Sequence, residues 1–152
     1  MSRTLPIAEY LELKGKDLGT SAWIEVSQER IDRFADVTED HQFIHIDPER
    51  AKATPFGSTI AHGFLSLSLL SAMAYDAMPG IEGAKMGVNY GFNSIRFLAP
   101  VKSGRRVRGH FRLLDVVERS PGVFQSTVEV KVAIEGEDKP ALSAEWLSLA
   151  YL

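Results

Sequence analysis

Apolar and polar residues alternate through most of the chain after Gly83, and a period of two is the signature of a half-buried strand. The alternation predicts strands near 84–98, 104–117, 123–135 and 140–151. Pro100 with Gly104, Pro121-Gly122, and Gly136 with Pro140 mark the turns between them. The first half reads differently. From Ile60 to Met78 the apolar residues lie almost all around a helical wheel, with only small Ser and Ala between them. That pattern predicts a main helix that is buried rather than amphipathic, stopped by Pro79-Gly80. Ahead of it, residues 5–12 suit a short helix and Trp23 to Val26 a short strand. A helix capped by Ser27, with Ile31 and Phe34 on its buried face, should end near Val37. Asp47 caps a further short helix with Pro48 at its first position, and Thr54-Pro55-Phe56-Gly57 breaks it.

One long buried helix followed by long antiparallel strands predicts an α+β fold whose sheet wraps that helix. With no internal repeat, low-complexity tract or long linker, residues 1–152 are expected to form a single domain. A sheet exposed on one face invites a second copy, so a homodimer is expected.

Composition narrows the function classes. The chain has 152 residues, 45% hydrophobic and 24% charged, which suits a soluble globular domain with one core. A formal charge of -3 gives no global reason to expect nucleic acid or an anionic membrane as partner. The absence of cysteine excludes disulfides, thiolate catalysis and Cys-ligated zinc, and fits a cytoplasmic location. The start Met-Ser-Arg-Thr-Leu-Pro lacks the pattern of a signal peptide. Ser66, Ser68, Ser71 and Asp76 make residues 60–78 a poor membrane span.

The chemistry concentrates between Phe34 and Ala51. Asp40 and His45 are two proton-moving groups in a loop between two helices, where both side chains can turn toward one point. A carboxylate beside an imidazole can hold a water and share its protons, and imidazole titrates near neutrality.

Phe34-Ala-Asp-Val-Thr-Glu-Asp-His-Gln-Phe-Ile-His-Ile-Asp47 resembles the hydratase-2 motif of the MaoC-like dehydratases, the (R)-specific enoyl-CoA hydratases. That motif runs Gly-Asp-x-Asn-Pro-hydrophobic-His-x-Asp, and Asp40, His45 and Asp47 fall on its Asp, His and second Asp. The resemblance extends through Ile60-Ala-His-Gly63 and Phe97-Leu-Ala-Pro100. Glu39, Gln42 and Phe43 stand where the motif has Gly, Asn and Pro, a version similar to the nodulation-protein-N-like subgroup.

The resemblance implies a hot-dog fold and hydration of a trans-2-enoyl-CoA to a (3R)-hydroxyacyl-CoA, or the reverse dehydration. Asp40 and His45 would activate a water for syn addition. The Gly63 N–H, at the start of the buried helix, would bind the thioester oxygen, and Ser71 would help to position water. Gln42 can offer the donor and acceptor of the replaced Asn. Phe64, with Leu67 and Leu70, would line an apolar tunnel for the acyl chain. The partner implied is an acyl-CoA thioester, with coenzyme A part of the substrate and no metal or redox cofactor. An acyl-CoA thioesterase or a non-catalytic acyl-thioester binder on the same fold are the rival expectations.

Other polar residues carry blander expectations. Ser71 would equally bond back to the carbonyl four residues earlier, and Gly63 would equally allow close packing. Asp47 is explained by its cap. His41 and His45 have a spacing that could hold zinc on a helix, but Gln42 stands where a Glu would be expected and no third ligand is evident. His62 is expected to pack locally, and His110 to lie on a strand surface. Lys102, Arg105, Arg106, Arg108 and Arg112 form a basic cluster, expected to be a solvated face or, second, a seat for the phosphates of coenzyme A.

Overall fold

Four long strands built on the predicted alternation carry most of the backbone hydrogen bonding. In the computed structural model, which describes residues 3–152, the chain runs β1 (Thr4–Leu5), α1 (Ile7–Leu11), β2 (Asp17–Thr20), β3 (Ile24–Glu25), α2 (Gln28–Thr38), α3 (Phe43–Ile46), α4 (Pro48–Ala51), α5 (Gly63–Ser68), α6 (Leu70–Ala77), β4 (Gly80–Ile81), β5 (Met86–Phe97), β6 (Arg106–Ser120), β7 (Val123–Ile134) and β8 (Leu142–Tyr151). The main sheet has the order β2-β6-β7-β8-β5 and every pairing in it is antiparallel, with β3 also on β6.

Alternation decides which side chains meet the helix. Val107, Phe111 and Leu113 of β6, Val128, Val130 and Val132 of β7, and Leu142, Ala144 and Trp146 of β8 are buried. They join Leu65, Leu69, Leu70 and Met73 in one hydrophobic cluster. Full burial of side chains of this size contributes roughly 1.5–3 kcal/mol each, so this cluster is the main source of stability. The sheet wrapped around a central helix is the expected hot-dog fold.

The opposite face of the sheet carries Arg106, Arg108, His110 and Arg112. Arg106 is paired with Glu135, and Arg108 lies over the Trp23 ring at 4.3 Å. His110 bonds the Thr20 hydroxyl at 2.9 Å. Most of the basic cluster is therefore a charged outer face.

The helix departs from its expected form in three ways. It begins at Gly63 rather than Ile60, because Ile60 bridges Lys102 and the Ala61 N–H bonds the Val101 carbonyl at 2.7 Å. It is interrupted at Leu69, although Leu69 N–H to Leu65 O and Met73 N–H to Leu69 O carry the helical bonding across the break. It is also not buried all round: Phe64 and Tyr75 are exposed in the single chain. Strand β2, which the sequence pattern did not predict, is short. Its Gly19 approaches the end of α6 so closely that a Cβ there would sit 2.5 Å from the Ala77 carbonyl oxygen.

Candidate active site

Two local caps place the chain that carries Asp40 and His45. The Ser27 hydroxyl accepts from the Arg30 N–H and starts α2, and the Asp47 carboxylate accepts from the Arg50 N–H and starts α4. Between them α2 ends on Glu39, the one non-glycine residue with positive φ among those described, at +62°. That left-handed residue ends the helix, and the exposed Asp40 follows directly after it. The positive φ also explains the glycine of the related motif, since glycine adopts this conformation without steric cost. His45 lies not in an open loop but in the single helical turn α3, and it is buried while Asp40 is exposed.

The hydrogen bonds fix the tautomer of His45. Its Nδ1 lies 2.7 Å from the Ile60 carbonyl oxygen, which only accepts, so Nδ1 carries the proton and donates. Nε2 is left with a lone pair. Burial is the largest influence on this imidazole and pushes its pKa below the ordinary histidine value, partly offset by the Ile60 carbonyl. His45 is thus held as a neutral hydrogen-bond acceptor. A ring nitrogen of His45, a carboxylate oxygen of Asp40 and a ring nitrogen of His62 all lie within 4.8 Å of one another.

His62 is the residue that sequence reasoning placed in the background. It is buried, its Nε2 donates to the Asp40 carbonyl oxygen at 3.0 Å, and its ring stacks on His45 with centroids 3.8 Å apart and planes 24° from parallel. The signal available in the sequence was its place directly before Gly63. Gln28 was also missed: its Nε2 donates to the His45 carbonyl at 2.7 Å, and its Oε1 accepts from the Thr59 hydroxyl.

Asp40, His45 and His62 supply three groups of ligand type. An imidazole binds a metal in its own ring plane, close to 2 Å away (roughly 2.0–2.1 Å for zinc). Two stacked rings do not aim their lone pairs at one such ion, so this arrangement is poorly shaped for a tridentate metal centre. His41 takes no part in the cluster; it is exposed and bonds Asp36.

The remaining predicted residues distribute along the helix. Gly63 faces the Phe97 ring, and a Cβ there would lie 3.0 Å from it. Among the described residues the Gly63 N–H makes no hydrogen bond. Ser71 does not bond back to the preceding turn. Ser68 does so instead, to the Phe64 carbonyl at 2.7 Å. Ser71 lines two neighbouring hollows of about 400 Å³ each, one with Leu67, Leu70 and Phe92, the other with Tyr10, Met78 and Ile81. Phe64 is turned outward, edge-on to Phe97, rather than into these hollows. The Gln42 side chain is exposed, while its backbone N–H bonds the Asp40 carboxylate at 3.3 Å. No helix among the described residues is long and apolar enough to cross a membrane.

A carboxylate and a neutral imidazole acceptor this close together can hold a water by both its hydrogens. A family model described as MaoC like domain matches residues 11–136. The chain is 52% identical over 146 residues to Nodulation protein N of Rhizobium leguminosarum bv. viciae, covering 95% of this chain and 91% of that protein. It is 46% identical over 139 residues, 91% of each, to 3-hydroxyacyl-thioester dehydratase Z of Mycobacterium tuberculosis. In three dimensions it resembles the unliganded R-hydratase PhaJ1 of Pseudomonas aeruginosa with a TM-score of 0.72 at 24% identity, over 99% of this chain and 88% of that one. With both the motif and the enclosing sheet in place, the chain belongs to the MaoC-like domain family, whose members include hydratases and dehydratases.

Proposed function

We propose that this protein adds water across the double bond of a trans-2-enoyl-CoA to give a (3R)-hydroxyacyl-CoA, or runs the reverse dehydration. The observation that carries the proposal is the closeness of two acceptor groups, the Asp40 carboxylate and the His45 imidazole with its Nε2 bare, a carboxylate oxygen lying within 4.8 Å of a ring nitrogen. A water donating a hydrogen to each is oriented with its lone pair outward. As its oxygen attacks Cβ, the π electrons move toward the thioester oxygen, and the Gly63 N–H is assigned to stabilise that charge by the resemblance of its motif. One proton of the water passes to the acid–base pair and a proton is returned to Cα, so the site ends as it began. The reaction needs no metal or redox cofactor.

The hollows beside Ser71, Leu67 and Leu70 suit the acyl chain. Phe64, exposed next to Gly63, is assigned to the mouth of that path, and Gln42 to the rim beside Asp40. We further propose a homodimer through β5. Among the described residues this edge strand has no partner on its outer side, and Met86, Val88 and Tyr90 are exposed on it. A cytoplasmic location follows from the same reading, through the acyl-CoA substrate.

The test is loss of the enoyl absorbance with crotonyl-CoA and longer enoyl-CoAs, with Asp40→Asn and His45→Gln as controls. Wild-type rates no greater than those of the controls refute hydration. Release of free thiol points to a thioesterase, and tight acyl-CoA binding without turnover to a binding protein.

A further inference from the structure

We infer that His62 is the positioning residue of the site, holding Asp40 and His45 in mutual register through two different contacts of one ring. The inference rests on the hydration reading only for its kinetic consequence.

The geometry is specific. The Nε2 of His62 donates to the main-chain carbonyl of Asp40, 22 residues away in sequence, at the point where the chain has just left the strained turn at Glu39. The face of the same ring lies on His45, and its other neighbour, Phe34 of α2, is tilted against it with centroids 4.9 Å apart. One edge of the imidazole therefore sets the backbone that carries the carboxylate, and one face sets the plane of the base. A side chain locked between packed rings is the kind of support that keeps reacting groups within fractions of an ångström of productive geometry.

A packing role alone does not account for an imidazole here. With Nε2 donating, a neutral ring leaves Nδ1 bare, and Nδ1 is buried without a hydrogen-bond partner among the described residues. An unsatisfied buried acceptor opposes stability. A plain aromatic residue would pack without that penalty but would leave the Asp40 carbonyl unheld. His62 is also tied to the helix start: its carbonyl accepts from the Leu65 and Ser66 N–H groups, so the ring is anchored one residue before Gly63. All three parts of the proposed site thus meet at one residue.

Two variants separate the contacts. His62→Phe keeps a ring on His45 and loses the donor to Asp40, whereas His62→Gln keeps a donor and loses the stack. Both should lower kcat on an enoyl-CoA by about 10- to 100-fold with KM changed less than about threefold, as expected for misplacement of reacting groups. Nitrogen-15 NMR of the wild-type protein and of His62→Gln provides a readout that needs no turnover. The proton shared with the Asp40 carbonyl should sit on Nε2 of His62 in the wild-type protein, and the ring resonances of His45 should move in His62→Gln. An Nδ1–H tautomer of His62, or kcat within twofold of wild type in both variants, overturns the inference. If the wild-type protein hydrates no enoyl thioester, the hydration reading fails by itself. The NMR result then decides His62: shifted His45 resonances uphold its positioning role, and unshifted ones end it.

Discussion

The side chain of Gln28, in the first turn of α2, donates to the carbonyl of His45 in α3, and the same amide accepts from the Thr59 hydroxyl. One residue outside the Asp40–Asp47 stretch thus ties the turn that carries His45 to the segment that leads into the central helix. Truncation as Gln28→Ala leaves the buried Thr59 hydroxyl and the His45 carbonyl without this partner. The expected loss is roughly 1–3 kcal/mol of stability, read from urea unfolding, since an orphaned buried polar group costs about that much. Enoyl-CoA turnover should fall along with it. An unchanged unfolding midpoint contradicts the role.

Asp40 and His45 should be separable from the fold. Asp40 is exposed, and its carboxylate accepts only from the Gln42 N–H at 3.3 Å among the described residues. Asp40→Asn should therefore leave the melting temperature within a few degrees of wild type, because exposed substitutions change little. Its kcat should drop by about 10²–10⁴-fold, the range for loss of an acid–base group. His45→Gln should lose comparable activity. Activity retained in Asp40→Asn excludes the carboxylate as a proton acceptor.

The left-handed turn at Glu39 gives a prediction of opposite sign. Glu39→Gly should stabilise the protein by about 1 kcal/mol, because an L-residue in this region costs roughly 1–2 kcal/mol that glycine largely avoids. Thermal or urea unfolding reads the change directly. A variant less stable than wild type means that the Glu39 side chain supplies compensating interactions.

Burial depresses the His45 pKa, so the folded protein takes up that proton less readily than the unfolded chain. Below the unfolded value of about 6.5 the unfolded chain binds more protons, and stability is lost as pH falls through that window. His45→Gln removes this contribution. The stability advantage of wild type over the variant, if present at pH 7, should shrink toward pH 5 in urea titrations. An advantage that stays constant or widens contradicts a buried neutral imidazole.

Gly19 tests how tightly β2 seals the end of the helix. Its φ is +133°, and the Ala77 carbonyl oxygen would lie 2.5 Å from a Cβ, which leaves no room for a side chain. Gly19→Ala should cost roughly 3 kcal/mol, combining overpacking with backbone strain. Calorimetry showing a near-wild-type melting temperature means that β2 moves freely.

Local chemistry was legible in the sequence. The four long strands follow from period-two alternation and from turns in which Gly104, Gly122 and Gly136 have positive φ. The Ser27 and Asp47 caps act within three residues of themselves, so their neighbours suffice to specify them. Asp40 and His45 stand close enough along the chain for a motif to reveal them. Contacts between distant segments were not legible. The helix starts at Gly63 because Ile60 and Ala61 are drawn into pairing with Lys102 and Val101, a competition that helical periodicity does not encode. His62 becomes part of the site only when the chain returns to stack its ring on His45, and Gln28 only when α2 packs beside α3. A residue type and its near neighbours specify caps, turns and alternation, because those energies are local. Which buried groups share one tautomer, one stack or one hydrogen bond is decided by tertiary packing, which alone brings them within reach.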